Sequence, residues 1–442
     1  RGVAALTEVL ARARRHGRRV VMRGAGLSFD RQAMLGDLAI SVNELNAISV
    51  DPDARTVTAE AGARWIDVVR ACEPYGLLPA IIPSGSDITA GGSVSVNSMS
   101  RFSPVWGKEG RWVKRLEVLT PSGERVIASR QHEPELFAAV VGGFGHVAVV
   151  LSVTYELLPR ARPMRVRCRV EKQLGLERLG AQLQRVETRD PSARASYAVV
   201  SFDGDETRVL LTHADYVGET ALDTMLPHRP GGASRVPIEL AINWVPPAGQ
   251  AFWNYAFETY VKTDRDYVDE LYGYTFFMDG NARARRAALA AGLPFRVAQQ
   301  AWALPVAKGD AVLEAFIQKA RRESEKAGLR LSLVDVLTLP KDEDFVLSVS
   351  STEAMHVVTV TWEGLDGAER AGLVREVCVG LTTEVRALGG RVHLTKNVFS
   401  RPADIAAMYA PDVARLRAVK RRVDPGGVLG SDFVDALFGR AD

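Results

Sequence analysis

The sequence predicts an α+β protein of more than one domain, and three observations carry that expectation. Short strand candidates alternate with helices over the first third without the regular strand–helix–strand rhythm of a parallel α/β fold. Glycine-rich turns recur three times in the same stretch, at Arg23–Ser28, Pro83–Gly92 and Gly142–His146. Past Pro159 the chain becomes strand-rich, with two long helical patterns near its end. At 442 residues, 47% hydrophobic and 25% charged, it can fill a sizeable core in two or three such units.

Residues 4–16 place apolar and basic side chains at helical spacing, and Gly17 is suited to end that helix. Val20-Val21-Met22 then reads as a strand feeding the first glycine turn. Strand candidates follow at 38–40 and 56–60, a helix at 65–75 closed by Gly76, and a hairpin of 113–119 with 124–128 around Thr120-Pro121-Ser122-Gly123. A short helix at 134–140 precedes the third glycine turn, and a β-rich run at 147–158 ends at Pro159. Further strands are expected at 165–170, 196–202, 207–213, 345–349 and 356–362, and helices at 311–327 and 367–388. The aromatic stretch from Trp253 to Phe277 interrupts them. Tyr260, Tyr272, Tyr274, Phe276 and Phe277 are candidates for a substrate mouth, whereas Trp253 and Phe257 fit packing.

Several function classes are excluded or demoted. The net charge is +3, from 56 Lys plus Arg against 53 Asp plus Glu, and no nucleic-acid recognition module accompanies the basic clusters. The three cysteines, Cys72, Cys168 and Cys378, have neither metal-ligand nor disulfide spacing. They fit a reducing compartment, so a cytoplasmic protein is expected, and no metal. No apolar run approaches the ~18 residues of a membrane span. Peripheral contact with the inner face of a membrane stays open, through an exposed aromatic lid. The start, at Arg1, does not read as a secretory leader.

The glycine turns carry the chemistry. Glycine lets backbone N–H groups approach a ligand, and successive N–H groups in such turns form anion-binding concavities. Three in one stretch suggest a large, extended, phosphate-containing ligand. Gly24-Ala25-Gly26 begins like a dinucleotide fingerprint, but Phe29 and Asp30 stand where the third glycine and helix should follow. A Rossmann site is therefore not expected.

In this combination the turns resemble the vanillyl-alcohol oxidase/p-cresol methylhydroxylase (PCMH-type) family of FAD-dependent oxidoreductases. The resemblance covers Arg23–Ser28, Pro83–Gly92, residues 133–145 and the β-run to Pro159. It implies a PCMH-type FAD-binding domain of two α/β subdomains over 1–160. An α+β substrate domain with a large, mainly antiparallel sheet over 161–400 would follow, and a segment at 401–442 that returns to the FAD domain. It also implies cofactor contacts from Arg23, Gly24, Ala25, Gly26, Leu27 and Ser28, then Gly85, Thr89, Gly91, Gly92 and Ser93. Gly143, Gly145, His146 and Val149 complete the set. Many members attach FAD through a histidine after the first glycine pair, and some add a cysteine in the second segment. Here Leu27 takes the first place and Ser93–Arg101 holds no cysteine, so the expected FAD is non-covalent.

After Gly389-Gly390 comes a β-like stretch, Arg391-Val392-His393-Leu394-Thr395-Lys396, which with the later Asp424-Pro425-Gly426-Gly427 resembles decaprenylphosphoryl-ribose, alditol and aldonolactone oxidases. The resemblance places Lys396 beside flavin and substrate, Gln299 on a substrate hydroxyl, and His393 where those proteins carry a tyrosine. Departures occur at Phe29, at Met99-Ser100-Arg101 in place of His-Gly-Lys, and at Ala301 in place of a second glutamine. They imply a different substrate. The expected reaction is oxidation of a sugar, alditol or phosphate-linked hydroxyl by hydride transfer to the flavin. Lys396 is a candidate cation or base, Arg101 an anchor for an anionic group, and His393 either a base or a packing histidine. Lipid-linked substrates, the electron acceptor, and oxidase versus dehydrogenase stay open. So do a C=C reductase using NAD(P)H, like the sterol Δ24-reductases, and a non-catalytic flavin-binding partner protein.

Overall fold

The computed structural model describes residues 2–30, 32–185, 194–219, 266–279, 290, 298–362 and 367–440. β1 (Val20–Arg23) and β2 (Leu38–Ser41) form a parallel pair. Six further strands form a second sheet: β3 (Ile48–Asp51), β4 (Thr56–Glu60), β5 (Leu77–Pro79), β6 (Val113–Leu119), β7 (Arg125–Ala128) and β8 (Val149–Pro159). Its order is β3-β4-β8-β6-β7, with β5 also on β8. β8 sits centrally with few exposed residues, because it pairs with β4, β5 and β6 and carries Val, Leu and Tyr toward the core. The expected 113–119 hairpin is present, with Leu116 opposite Ala128.

The second half forms one eight-stranded sheet. Its strands are β9 (Arg165–Leu174), β10 (Arg194–Asp203), β11 (Glu206–Val217), β12 (Asp266–Glu270), β13 (Ala298–Pro305), β14 (Leu331–Leu339), β15 (Met355–Trp362) and β16 (Arg391–Val392). The order is β12-β9-β11-β10-β14-β15-β13-β16, and every pairing is antiparallel.

Register gives the sheet two different faces, because alternate residues of a strand point to opposite sides. On one, Trp302 packs edge-on against both Trp362 and Phe316 of the Asp310–Lys326 helix, and the indoles of Trp302 and Trp362 donate to Thr382 and Ser324, respectively, at 2.9 Å each. Thr382 belongs to the Gly367–Ala387 helix, so two helices cover this side. On the other, Asp335 lies opposite Thr359, Leu337 opposite Val357, Gln299 opposite Thr361 and Tyr197 opposite Leu337. That face looks toward the N-terminal domain.

The final segment folds back on the first. Lys420, in the Ala410–Val423 helix, is buried and donates to the carbonyls of His146 at 2.8 Å and Leu429 at 2.6 Å, and to Asp424 at 2.6 Å. Val20 donates to Val428 O at 2.7 Å, continuing β1 with the tail.

Two sequence expectations are corrected. Residues 345–349 are buried but irregular, and the strand pairing with β15 is Leu331–Leu339 instead. The Phe345 ring lies tilted against Phe137, with centroids 5.7 Å apart, and Val346 N donates to Ala138 O. The run is apolar because it plugs the inter-domain core, not because it joins the sheet. The β-like stretch expected after Gly390 is a strand only at Arg391–Val392, and Leu394–Asn397 form a turn and loop.

Candidate functional site

A cavity of about 560 Å³ runs from the first glycine turn to the open face of the eight-stranded sheet. The first turn contributes Gly24, Ala25, Gly26, Leu27 and Ser28. The second contributes Gly85, Thr89, Gly91, Gly92 and Ser93, and the third Phe144 and Gly145, with Val149 beside them. The sheet contributes Tyr197, Tyr216, Gln299, Asp335, Leu337, Val357 and Thr359, and the loop after β16 adds Thr395, Lys396 and Asn397.

Close packing explains the glycines. A Cβ on Gly24 would lie 2.3 Å from Thr89 Oγ1, and one on Gly91 would lie 2.7 Å from Ala61 Cβ. The first and second turns are thus pressed together without room for side chains. The third is laced to the second, since Gly142 N donates to Val94 O at 3.0 Å and Phe144 N to Ser95 O at 2.8 Å. Among the described residues, the amides of Gly26, Leu27 and Ser28 find no acceptor within the chain. Unpaired backbone donors lining a cavity suit anionic oxygens. These residues therefore fit the pyrophosphate of a dinucleotide such as FAD.

The sheet end carries the reactive side chains. Lys396 lines the cavity with its ammonium 4.7 Å from the Phe29 ring centroid. Burial pulls its pKa below the ordinary lysine value, and Asp335 opposes that shift. Asp335 is the converse: burial pushes its carboxyl up to about 6, against the pull of Lys396 and Arg101. Gln299 Nε2 donates to Thr361 at 3.0 Å, and its buried Oε1 has no hydrogen-bond partner among the described residues. Arg101 stacks its guanidinium over Phe277 at 3.5 Å and Tyr197 at 4.3 Å. The arrangement offers a cation, a carboxylate that ionises near neutrality, and a free amide acceptor at one end of an extended anion site.

Arg23, Gly143, His146 and His393 sit off this wall. Arg23 is exposed and folds its guanidinium over Gly26, where a Cβ would meet it at 2.6 Å. Gly143 lies three residues past the Pro134–Val140 helix, where a Cβ would lie 2.0 Å from Ala139 O. His146 is buried, and burial with nearby Lys420 holds its imidazole neutral. His393 lies behind the wall with Nδ1 2.9 Å from Thr395 Oγ1, and burial, Lys108 and Lys396 bring its pKa down to about 3. Of the aromatics, Tyr274 and Phe277 line the cavity. Phe276 is core, and Tyr272 donates to Glu73 at 2.6 Å. Trp253, Phe257 and Tyr260 lie outside the described residues.

Two groups escaped the sequence reading. Asp335 had a signal: it is the lone carboxylate in the alternating run Leu331–Leu339. Glu109 had none. Buried, it accepts from Tyr155 at 2.6 Å and from cavity-lining Ser93 at 2.8 Å, and burial pushes its carboxyl up to about 7.

Fold and cavity together define a two-domain protein with an extended cavity whose backbone donors suit a phosphate-bearing ligand. Residues 1–129 match the FAD binding domain family, and residues 259–437 match the D-arabinono-1,4-lactone oxidase family. The chain is thus a PCMH-type FAD-binding domain fused to a C-terminal domain of the D-arabinono-1,4-lactone oxidase type.

Among curated proteins it is 33% identical over 146 residues to decaprenylphosphoryl-β-D-ribose oxidase of Mycolicibacterium smegmatis, covering 32% of each chain. It is 32% identical over 158 residues to cytokinin dehydrogenase 2 of Oryza sativa, covering 33% of this chain and 28% of that one. These matches span about a third of the relatives' length. L-gulonolactone oxidase of Bos taurus is 23% identical over 451 residues, covering 99% and 93%. Among the described residues, no helix is long and apolar enough to cross a membrane, and no group of metal-ligating side chains occurs.

Proposed function

We propose that the protein is an FAD-dependent oxidoreductase that oxidises a hydroxyl-bearing carbon of a sugar-, alditol- or aldonolactone-like substrate. The observation that carries the proposal is convergence: Lys396, Asp335 and Gln299 meet at one end of the cavity whose other walls are the three glycine turns. Bound FAD supplies the hydride acceptor. The chain's own residues do the rest. Gly24–Ser28 and Gly85–Ser93 hold the diphosphate and fix the cofactor's register. Gln299 Oε1 accepts a substrate hydroxyl. Asp335, ionised above about pH 6, takes the hydroxyl proton. Lys396 supplies positive charge where negative charge gathers as the donor is oxidised, and Arg101 with Tyr197 closes the far side.

Non-covalent binding is part of the proposal. Leu27 holds the place of the attachment histidine, and no histidine or cysteine lines the cavity among the described residues. The relatives named for ribose and gulonolactone substrates favour a polyhydroxylated donor. In the test, the purified protein is precipitated with acid, then a second sample is offered sugars, alditols and aldonolactones without oxygen. A yellow supernatant and loss of the visible flavin band with one such donor supports the proposal. Bleaching by NAD(P)H alone makes the protein a reductase instead.

A further inference from the structure

The loop that carries Lys396 is held by the segment that follows the first glycine turn. Asp30 Oδ1 accepts from Asn397 Nδ2 at 2.7 Å, and its Oδ2 accepts from the backbone of Val398 at 2.6 Å. Two residues on, buried Gln32 donates through Nε2 to Leu394 O at 2.7 Å. Lys396 thus lies between two anchors that come from the same short segment. Phe29, the residue before Asp30, carries the ring that its ammonium faces. Asn397 in turn accepts from Gln299 N at 3.0 Å, so the same anchor reaches the glutamine.

Asp30 itself has a left-handed backbone, φ 47°, which Asp tolerates better than most residues but does not prefer. Such a conformation persists where surrounding bonds over-determine it. Its two carboxylate bonds to the Lys396 loop are of that kind, and they are charge-assisted. Asp30 and Phe29 also line the cavity directly after the proposed diphosphate turn.

We infer that Asp30 is a positioning residue that couples the cofactor turn to Lys396 and Gln299, so that ordering Gly24–Ser28 around a diphosphate orders the reactive loop with it. The inference rests on the proposed flavin function. It adds that the two ends of the cavity are set by one segment rather than independently.

Wild type, Asp30→Ala, Asp30→Asn and Lys396→Ala are compared with and without FAD, using two readouts that need no substrate. The first is amide hydrogen exchange over 394–398. FAD slows exchange there in wild type. In Asp30→Ala exchange is faster, on the order of tenfold, and FAD no longer slows it. The second is the midpoint potential of the bound flavin. A cation near the flavin favours its reduction, so Lys396→Ala lowers the potential and Asp30→Ala lowers it in the same direction. Asp30→Asn, which keeps one acceptor oxygen, falls between and serves if the alanine variant does not fold. Wild-type exchange in both Asp30 variants, with FAD protection intact, overturns the inference. An unchanged potential in Lys396→Ala overturns the role given to Lys396, and the exchange readout still decides Asp30.

Discussion

Gln299 and Asn397 hold each other by two reciprocal bonds: Asn397 Oδ1 accepts from Gln299 N at 3.0 Å, and Asn397 N donates to Gln299 O at 2.9 Å. The pair extends the β13–β16 pairing by side chain and backbone beyond its last strand residue. It explains how a loop can place Lys396 beside a strand residue with the accuracy that chemistry needs.

Replacing Lys396 with Met keeps the stem and removes the charge. Turnover falls about 10²- to 10³-fold, the usual range for losing one preorganised electrostatic contact. Because burial lowers the Lys396 pKa, the wild-type rate declines on the alkaline side at a pH below that of a free lysine. Lys396→Arg keeps its charge over that range and shifts the decline upward. A pH–rate profile of the three proteins checks this.

Asp335→Asn removes the carboxylate with little change in shape. The wild-type rate rises with pH through about 6, the value to which burial raises this carboxyl, and the variant loses that limb. Turnover drops about 10²-fold. The sign for stability is opposite. A carboxyl that binds its proton more tightly when folded destabilises the fold as it ionises, so the effect is absent at low pH and grows through about pH 6. The melting temperature of the variant relative to wild type therefore rises as pH increases from about 4 to about 7.

Gly91→Ala tests the cradle. Its Cβ would lie 2.7 Å from Ala61 Cβ and 2.9 Å from Ala61 O, and neither atom is on a flexible side chain. Overpacking of this kind costs about 1–3 kcal/mol. Urea unfolding shows the loss, and FAD titration of the apoprotein shows weaker binding.

Lys420→Met tests the return of the tail to the first domain. It leaves the Asp424 carboxylate buried without its ammonium, although Val428 N and Leu429 N still donate to it. Breaking a buried pair from one side costs about 3–5 kcal/mol. The midpoint of chemical unfolding reports it, while Lys396 and Asp335 keep their cavity positions and the spectrum of residual bound flavin is unchanged.

Much of this was legible in the sequence, for local reasons. The glycine turns announce themselves because no other residue fits where Gly24 meets Thr89 or Gly91 meets Ala61. Helices such as Asp310–Lys326 follow from periodicity. What stayed hidden depends on non-local partners. Apolar Phe345–Val349 carries the composition of a strand, yet no neighbour in the sheet is available to it and the Phe137 helix is.

Asp335 hides for a related reason. Its importance comes from the antiparallel register that sets β14 against β15 and β10, turning it toward Lys396 and Arg101, which no local pattern reveals. His393 shows the reverse. Its motif draws attention, but the fold places it behind Thr395 beside Lys108 and Lys396, where it stays neutral.

In the proposed function one cavity joins an FAD cradle to an alcohol-oxidising end built on Lys396 and Asp335. The most direct test is anaerobic titration of the FAD-loaded protein with a panel of sugars, alditols and aldonolactones, run beside Lys396→Met and Asp335→Asn. One donor is expected to bleach the wild-type flavin, while both variants bind FAD but bleach at least about tenfold more slowly. Bleaching at the wild-type rate in both variants would contradict that function, as would a wild-type flavin that no alcohol donor reduces.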